Sequence, residues 1–124
     1  MRGISFWFLT VSILCGLGGM AFGIHMAMAE DFLLAPAHAH LNLVGMVLCA
    51  IYAFYYQVVP GAAGKLAWVH LALSTLAPVT MFPGIIMVLQ DGHENPLVQI
   101  GSLSAIASLL LFGIIHLKNG KARA

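Results

Sequence analysis

The stretch Pro36-Ala37-His38-Ala39-His40-Leu41-Asn42-Leu43-Val44-Gly45 opens a segment that stays apolar as far as Val59. Burying imidazole and amide groups beside hydrocarbon is costly unless something binds them. This polar load at the start of an otherwise apolar helix marks it as the functional centre of the chain. At roughly 100° per residue, His38 and His40 lie about 200° apart on a helix. They point to nearly opposite faces and cannot both be axial ligands of one flat macrocycle, although each can serve a different neighbour. His38, Asn42 and Gly45 share one stripe at i, i+4 and i+7.

Working outward, the rest of the chain repeats the apolar character of this helix. Of 124 residues, 61% are hydrophobic and 7% are charged, which is not the composition of a soluble domain. Four apolar stretches run over roughly 4–24, 37–59, 66–89 and 97–116. Each can cross a hydrocarbon core of about 30 Å, which takes roughly 20 helical residues. A membrane barrel needs strands of about ten residues with alternating polarity, and that pattern is absent. The expected fold is all-α: an integral membrane four-helix bundle forming a single domain over 1–124. Nothing resembles a phosphate loop, a Ser-His-Asp constellation or a nucleic-acid surface.

Charge placement gives an orientation. Arg2, Lys65, Lys118, Lys121 and Arg123 fall in the N-terminal tail, the second connection and the C-terminal tail. Glu30, Asp31, Asp91 and Glu94 fall in the first and third connections. For four spans these groups lie on opposite sides, and the positive-inside rule puts both termini in the cytoplasm. The expected location is the inner (cytoplasmic) membrane, as a multi-pass protein.

The first span begins after Arg2, and Ala27-Met28-Ala29 resembles a signal cleavage site. Its apolar run is longer than the usual signal core of about 7–15 residues, so a retained helix is expected. Pro36 suits the first turn of the second span. Pro78 and Pro83-Gly84 remove hydrogen bonds from the third, predicting a kink, with Thr75 and Thr80 as candidates to satisfy the freed carbonyls. Tyr52, Tyr55 and Tyr56 read as an interfacial aromatic belt, His70 as a histidine hydrogen-bonded near the interface, and His116 as interfacial. Cys15 and Cys49 read as small packing residues. Gly19/Gly23, Gly45/Cys49/Ala53 and Gly101/Ala105/Ser108 form small-residue stripes that let helices approach closely.

His38-Ala39-His40, near the outer end of an apolar helix, resembles the His-x-His of subunit I of haem-copper oxidases and nitric oxide reductases. The whole stretch from Pro36 to Gly45 also resembles small four-helix membrane proteins described as oxidase subunit I-like. The large subunit has twelve helices in three pseudo-equivalent groups of four, so the resemblance covers most of this chain and one third of that subunit. It implies haem b binding, with His38 or His40 as an axial ligand, Asn42 orienting a ligand or a propionate, and Gly45 beside the cofactor. Electron transfer or haem and gas-ligand binding is the implied role, with a redox partner that the sequence does not name. This chain departs from the family in lacking a second helix with a copper-type His pair and an outer arginine for haem propionates. It is not expected to be a complete oxidase on its own.

The alternative is a haem-free copper or zinc protein. His38, His40, His25 and His93 belong to the outer side, with Glu30, Asp31, Asp91 and Glu94 nearby, and Met20, Met26, Met28, Met46, Met81 and Met87 map to the same half. Thioethers suit Cu(I), and imidazole suits several metals. A structural or assembly subunit is the third class. Because one helix cannot place both histidines on one cofactor, a homo-oligomer in the lipid bilayer is expected. A trimer comes first, with His38 of one chain and His40 of the next flanking a haem, and a dimer second.

Overall fold

The computed structural model describes residues 1–120. Lys121 and Arg123, which enter the charge argument, lie outside the described residues. Four helices follow one another: α1 (Ile4–Ala29), α2 (Ala35–Val58), α3 (Lys65–Asp91) and α4 (Pro96–Gly120). All four are long and apolar enough to cross a membrane. Each extends a little beyond its apolar run, because the flanking residues form helix readily until a specific stop intervenes. α1 ends where Glu30 turns left-handed at φ 49° and its N–H bonds to the Ala27 carbonyl. α3 ends at Gly92, φ 76°, where glycine carries no steric cost. α4 begins behind Asn95, whose Oδ1 accepts the Val98 N–H at 3.1 Å while its Nδ2 donates to the Gly84 carbonyl of α3 at 2.9 Å.

Polarity in this bundle is reversed relative to a soluble protein. Leu14, Leu17, Ile24, Leu103, Leu110 and Leu117 lie on the outside, whereas Ser5, Ser12, His70, Ser74, Ser104 and Ser108 are buried. A surface of this kind is stable in lipid, where small and weakly polar residues go between helices and hydrogen-bond there. The chain is a small all-α, four-helix, multi-pass membrane protein.

Small residues set the closest contacts. A Cβ on Gly84 would fall 2.5 Å from the Val98 nitrogen, and one on Gly101 would fall 2.7 Å from the Met81 nitrogen. α3 and α4 therefore touch backbone to backbone near their shared turn. The small-residue stripes are used for contacts within one chain. Gly19, Gly23 and Gly45 meet Asn42, His38 and Cys15 respectively, and Cys49 and Ala53 are fully buried.

α3 runs as one helix from Lys65 to Asp91 with Pro78 and Pro83 inside it. Thr80 does bond a carbonyl, donating to Leu76 O at 2.8 Å. The carbonyl that Pro78 deprives of its helical donor is that of Ser74, four residues back. Cys49 Sγ, from α2, lies 3.9 Å from it.

Candidate functional site

The first turn of α2 is laid against α1 as an antiparallel zipper. His38 meets Gly23, Asn42 meets Gly19, and Gly45 meets Cys15. Further along, Ser12 Oγ donates to the Met46 carbonyl at 2.7 Å. Glycine is needed where the polar side chains land, since a Cβ on Gly23 would come within 2.8 Å of the His38 ring and one on Gly19 would collide with the Asn42 amide.

A π-helical segment, Leu41–Val47, interrupts α2 immediately after His40. Such segments are frequent at functional sites. Here the Leu48 N–H reaches back five residues to Leu43 O, and α geometry resumes at Leu48. The Val44 carbonyl is the one passed over at this change of step. Cys49 Sγ lies 3.9 Å from it as well. Cys49 thus sits between two carbonyls that have each lost a helical donor, a role that spacing alone does not reveal.

The two histidines of His-x-His diverge as the helical angle requires. His38 turns inward, with Nδ1 2.7 Å from the Gly19 carbonyl. His40 is exposed on the outer face of α2, with Nδ1 2.7 Å from the Pro36 carbonyl. A carbonyl can only accept, so each ring donates from Nδ1–H and carries its lone pair on Nε2. Around His38 the Asn42 amide nitrogen lies 3.3 Å from both ring nitrogens, a position in line with neither lone pair, and the ring itself is packed against Gly23 of α1. The same amide nitrogen donates to the His38 carbonyl at 3.2 Å, and Asn42 Oδ1 is buried without a partner. His40 is exposed, on the side of α2 that also carries the exposed Leu43 and Val47. Of the two imidazoles, it is the one presented to an external ligand.

His25 is exposed near the end of α1, its ring 6.1 Å from that of Phe22. His93 is exposed in the turn between α3 and α4. Met20, Met28 and Met87 face outward, Met26 and Met81 are buried, and Met46 packs on Gly16. Among the described residues, no three His, Cys, Asp or Glu side chains come together so as to hold a metal ion.

The other end of α2 corrects the reading of the tyrosines and shows His70 hydrogen-bonded, as expected, but fully enclosed. Tyr52 and Tyr56 are 2% and 3% exposed and belong to the core instead of an interfacial belt. His70 is 0% exposed, enclosed by the rings of Phe8, Tyr52, Tyr56 and Phe112. Its Nδ1 lies 2.9 Å from the Tyr56 hydroxyl, and its Nε2 has no partner. The reason is helical phase. Tyr52 and Tyr56 are one turn apart on the same face as Cys49, and that face packs on α1 and α3. Only Tyr55 is partly exposed, with its ring 5.9 Å from that of the exposed His116. His40 and Tyr56 lie roughly 24 Å apart along α2, at about 1.5 Å per residue, so the His70 cage and the His-x-His turn are separate sites.

Comparison with protein-family models, curated proteins and solved structures returns no match.

Proposed function

We propose that this chain is a small membrane haem b protein in which His40 supplies an axial ligand. The observation that carries the reading is the 2.7 Å contact of His40 Nδ1 with the Pro36 carbonyl, which leaves a fixed Nε2 lone pair on the exposed face of α2. Backbone-anchored Nδ1 with free Nε2 is how histidine is ordinarily prepared for a metal. A haem bound there supplies one-electron transfer or binding of a small gas ligand at its iron. His38 and Asn42 position the turn by fastening α2 to Gly19 of α1.

His38 faces away from His40, so one chain offers one ligand on this face. A second copy in the same membrane orientation brings another His40 to the same depth, which cyclic symmetry allows without cost. With His38 turned inward and the small-residue stripes used within the chain, a twofold pair of His40 side chains is favoured over a trimer that pairs His38 with His40.

The test is a spectrum of the protein purified from haem-sufficient cells. A Soret band is expected, lost in His40→Ala and kept in His116→Ala. A protein that never shows the band, or one that keeps it fully in His40→Ala, rules the assignment out. The charge split supports an orientation with both termini cytoplasmic in the inner membrane. Single cysteine labels at Asp91 and at Lys118 are expected to react from opposite sides, and reaction of both from one side reverses that conclusion.

A further inference from the structure

The basic end of the bundle carries a feature that the His-x-His turn does not use. A cleft of about 540 Å³ opens between the start of α1 and the end of α2, lined by Arg2, Ser5, Tyr56, Gln57 and Trp68 among others. Among the described residues its one charged side chain is the Arg2 guanidinium, and no carboxylate lines it. The acidic side chains, Glu30, Asp31, Asp91 and Glu94, all sit at the opposite end of the bundle. At the cleft the Ser5 hydroxyl lies 3.0 Å from the Arg2 carbonyl and 3.2 Å from Gln57 Oε1, its one proton shared between these two acceptors, and the Gln57 amide supplies N–H donors beside Arg2.

Trp68 also begins a second feature. A shallow groove of about 510 Å³ runs from it along α3, lined by Leu71, Ala72, Thr75, Leu76 and Val79. From Trp68 to Val79 the groove covers roughly 16 Å, at about 1.5 Å per residue. Its walls are almost wholly apolar, and Trp68, Leu76 and Val79 are exposed on the lipid-facing side. A cleft carrying a guanidinium and an apolar groove along α3 thus share one wall residue, Trp68.

We propose that this pair of features is a binding site for an anionic phospholipid. The phosphodiester sits in the cleft against Arg2 and Gln57, and one acyl chain lies along Leu71, Leu76 and Val79. Net charge selects the head group: arginine binds the phosphate of any phospholipid through paired N–H donors, but the ammonium of a zwitterionic head group offsets that attraction, so a basic pocket at the end of a membrane helix favours anionic lipids. The groove selects a lipid over a free anion, since inorganic phosphate gains nothing from it. A neutral isoprenoid quinone would fill the groove but leave the guanidinium without a counter-charge.

The experiment is native mass spectrometry of the full chain in mild detergent, titrated with phosphatidylglycerol or phosphatidylcholine of identical acyl chains. Phosphatidylglycerol is expected to bind about five- to tenfold more tightly, the worth of one arginine near an anionic head group. Arg2→Gln, an exposed change that leaves the fold intact, should abolish the preference. Val79→Trp, which blocks the groove from the lipid side, should weaken both lipids alike. Inorganic phosphate at equal concentration should not displace phosphatidylglycerol. Equal binding of the two lipids, a preference that survives Arg2→Gln, displacement by free phosphate, or a co-purified quinone in place of phospholipid would each overturn the proposal.

Discussion

His38 and His70 are each held by one short contact from Nδ1, 2.7 Å to the Gly19 carbonyl in the first and 2.9 Å to the Tyr56 hydroxyl in the second. The partners differ in kind, and that difference separates the two ends of the molecule. A carbonyl only accepts, so it fixes a proton on Nδ1 and makes Nε2 a base; His40 is fixed in the same way by Pro36. A hydroxyl can donate or accept, so Tyr56 leaves the tautomer of His70 open. At the acidic end, imidazoles present a defined lone pair, and one of them presents it outward. At the basic end, an imidazole is sealed among aromatic rings with Nε2 unpartnered and no space beside it for a ligand. The first arrangement suits ligation, and the second suits packing.

The largest effect that would break this comparison is on the cofactor. If haem is bound as proposed, His40→Ala should remove essentially all of it, because the ligand presented on the exposed face is lost. His70→Phe should leave occupancy unchanged. Haem loss in His70→Phe with full retention in His40→Ala would interchange the roles of the two ends.

Next in size is the zipper that seats the His-x-His turn. Gly19→Leu places a side chain where the Asn42 amide lies, against the backbone of α2. A destabilisation of about 3 kcal/mol or more is expected from overpacking with a displaced buried amide, read as a fall in the midpoint of thermal unfolding in detergent. Gly45→Leu acts similarly through Cys15 and Pro78. It therefore reports on the stability of one chain and does not isolate contacts between copies. Unchanged unfolding in Gly19→Leu would mean that α1 and α2 are not in contact there.

Much of this was legible in the sequence, for physical reasons that can be named. Four runs of apolar residues must each become a helix in lipid, because backbone groups there have no other partners. The angle between His38 and His40 follows from helix geometry alone. That His38, Asn42 and Gly45 share one stripe also follows from helix geometry, but that this stripe faces Gly23, Gly19 and Cys15 of α1 does not. What could not be read was tertiary. The π turn at Leu41–Val47 lies where Ser12 of α1 donates to the Met46 carbonyl, a contact between segments far apart in sequence. The burial of Tyr52, Tyr56 and His70 depends on which face of α2 meets α3, and an apolar helix gives no amphipathic stripe to reveal it. Cys49 looked inert because its two carbonyl neighbours are freed by a proline on another helix and by a change of helical step.

A smaller effect sharpens the account of the basic end. If His70 is a packing residue with an orphaned nitrogen, then His70→Phe should change stability by less than about 1 kcal/mol, because the surrounding cage is already aromatic. His70→Ala should cost about 2–4 kcal/mol through the cavity it leaves. Tyr56→Phe alone should cost about 0.5–1.5 kcal/mol, since it strips His70 of its one hydrogen bond. In the double variant Tyr56→Phe/His70→Phe that cost should largely disappear. A severe loss in His70→Phe would show that the imidazole, and not its volume, holds the core together.

The smallest expected effect concerns Ser74 and Ser108, whose hydroxyls meet at 2.6 Å across α3 and α4 one turn from His70. Hydrogen bonds between membrane helices average about 0.6 kcal/mol and seldom exceed about 1.7 kcal/mol. The helices here are already held by backbone contact at Gly84 and Gly101, so the serine pair is not what brings them together. Ser74→Ala and Ser108→Ala should each cost about 0.5 kcal/mol, and the double variant should cost little more than either one. A double-mutant cycle on unfolding in detergent then gives a coupling near the average. A coupling above about 1.7 kcal/mol would place the serines in a longer polar network that includes His70 Nε2, and the basic end would then be a polar site instead of a packed core. A coupling near zero, with both single variants neutral, would show that close approach of the α3 and α4 backbones alone sets this interface.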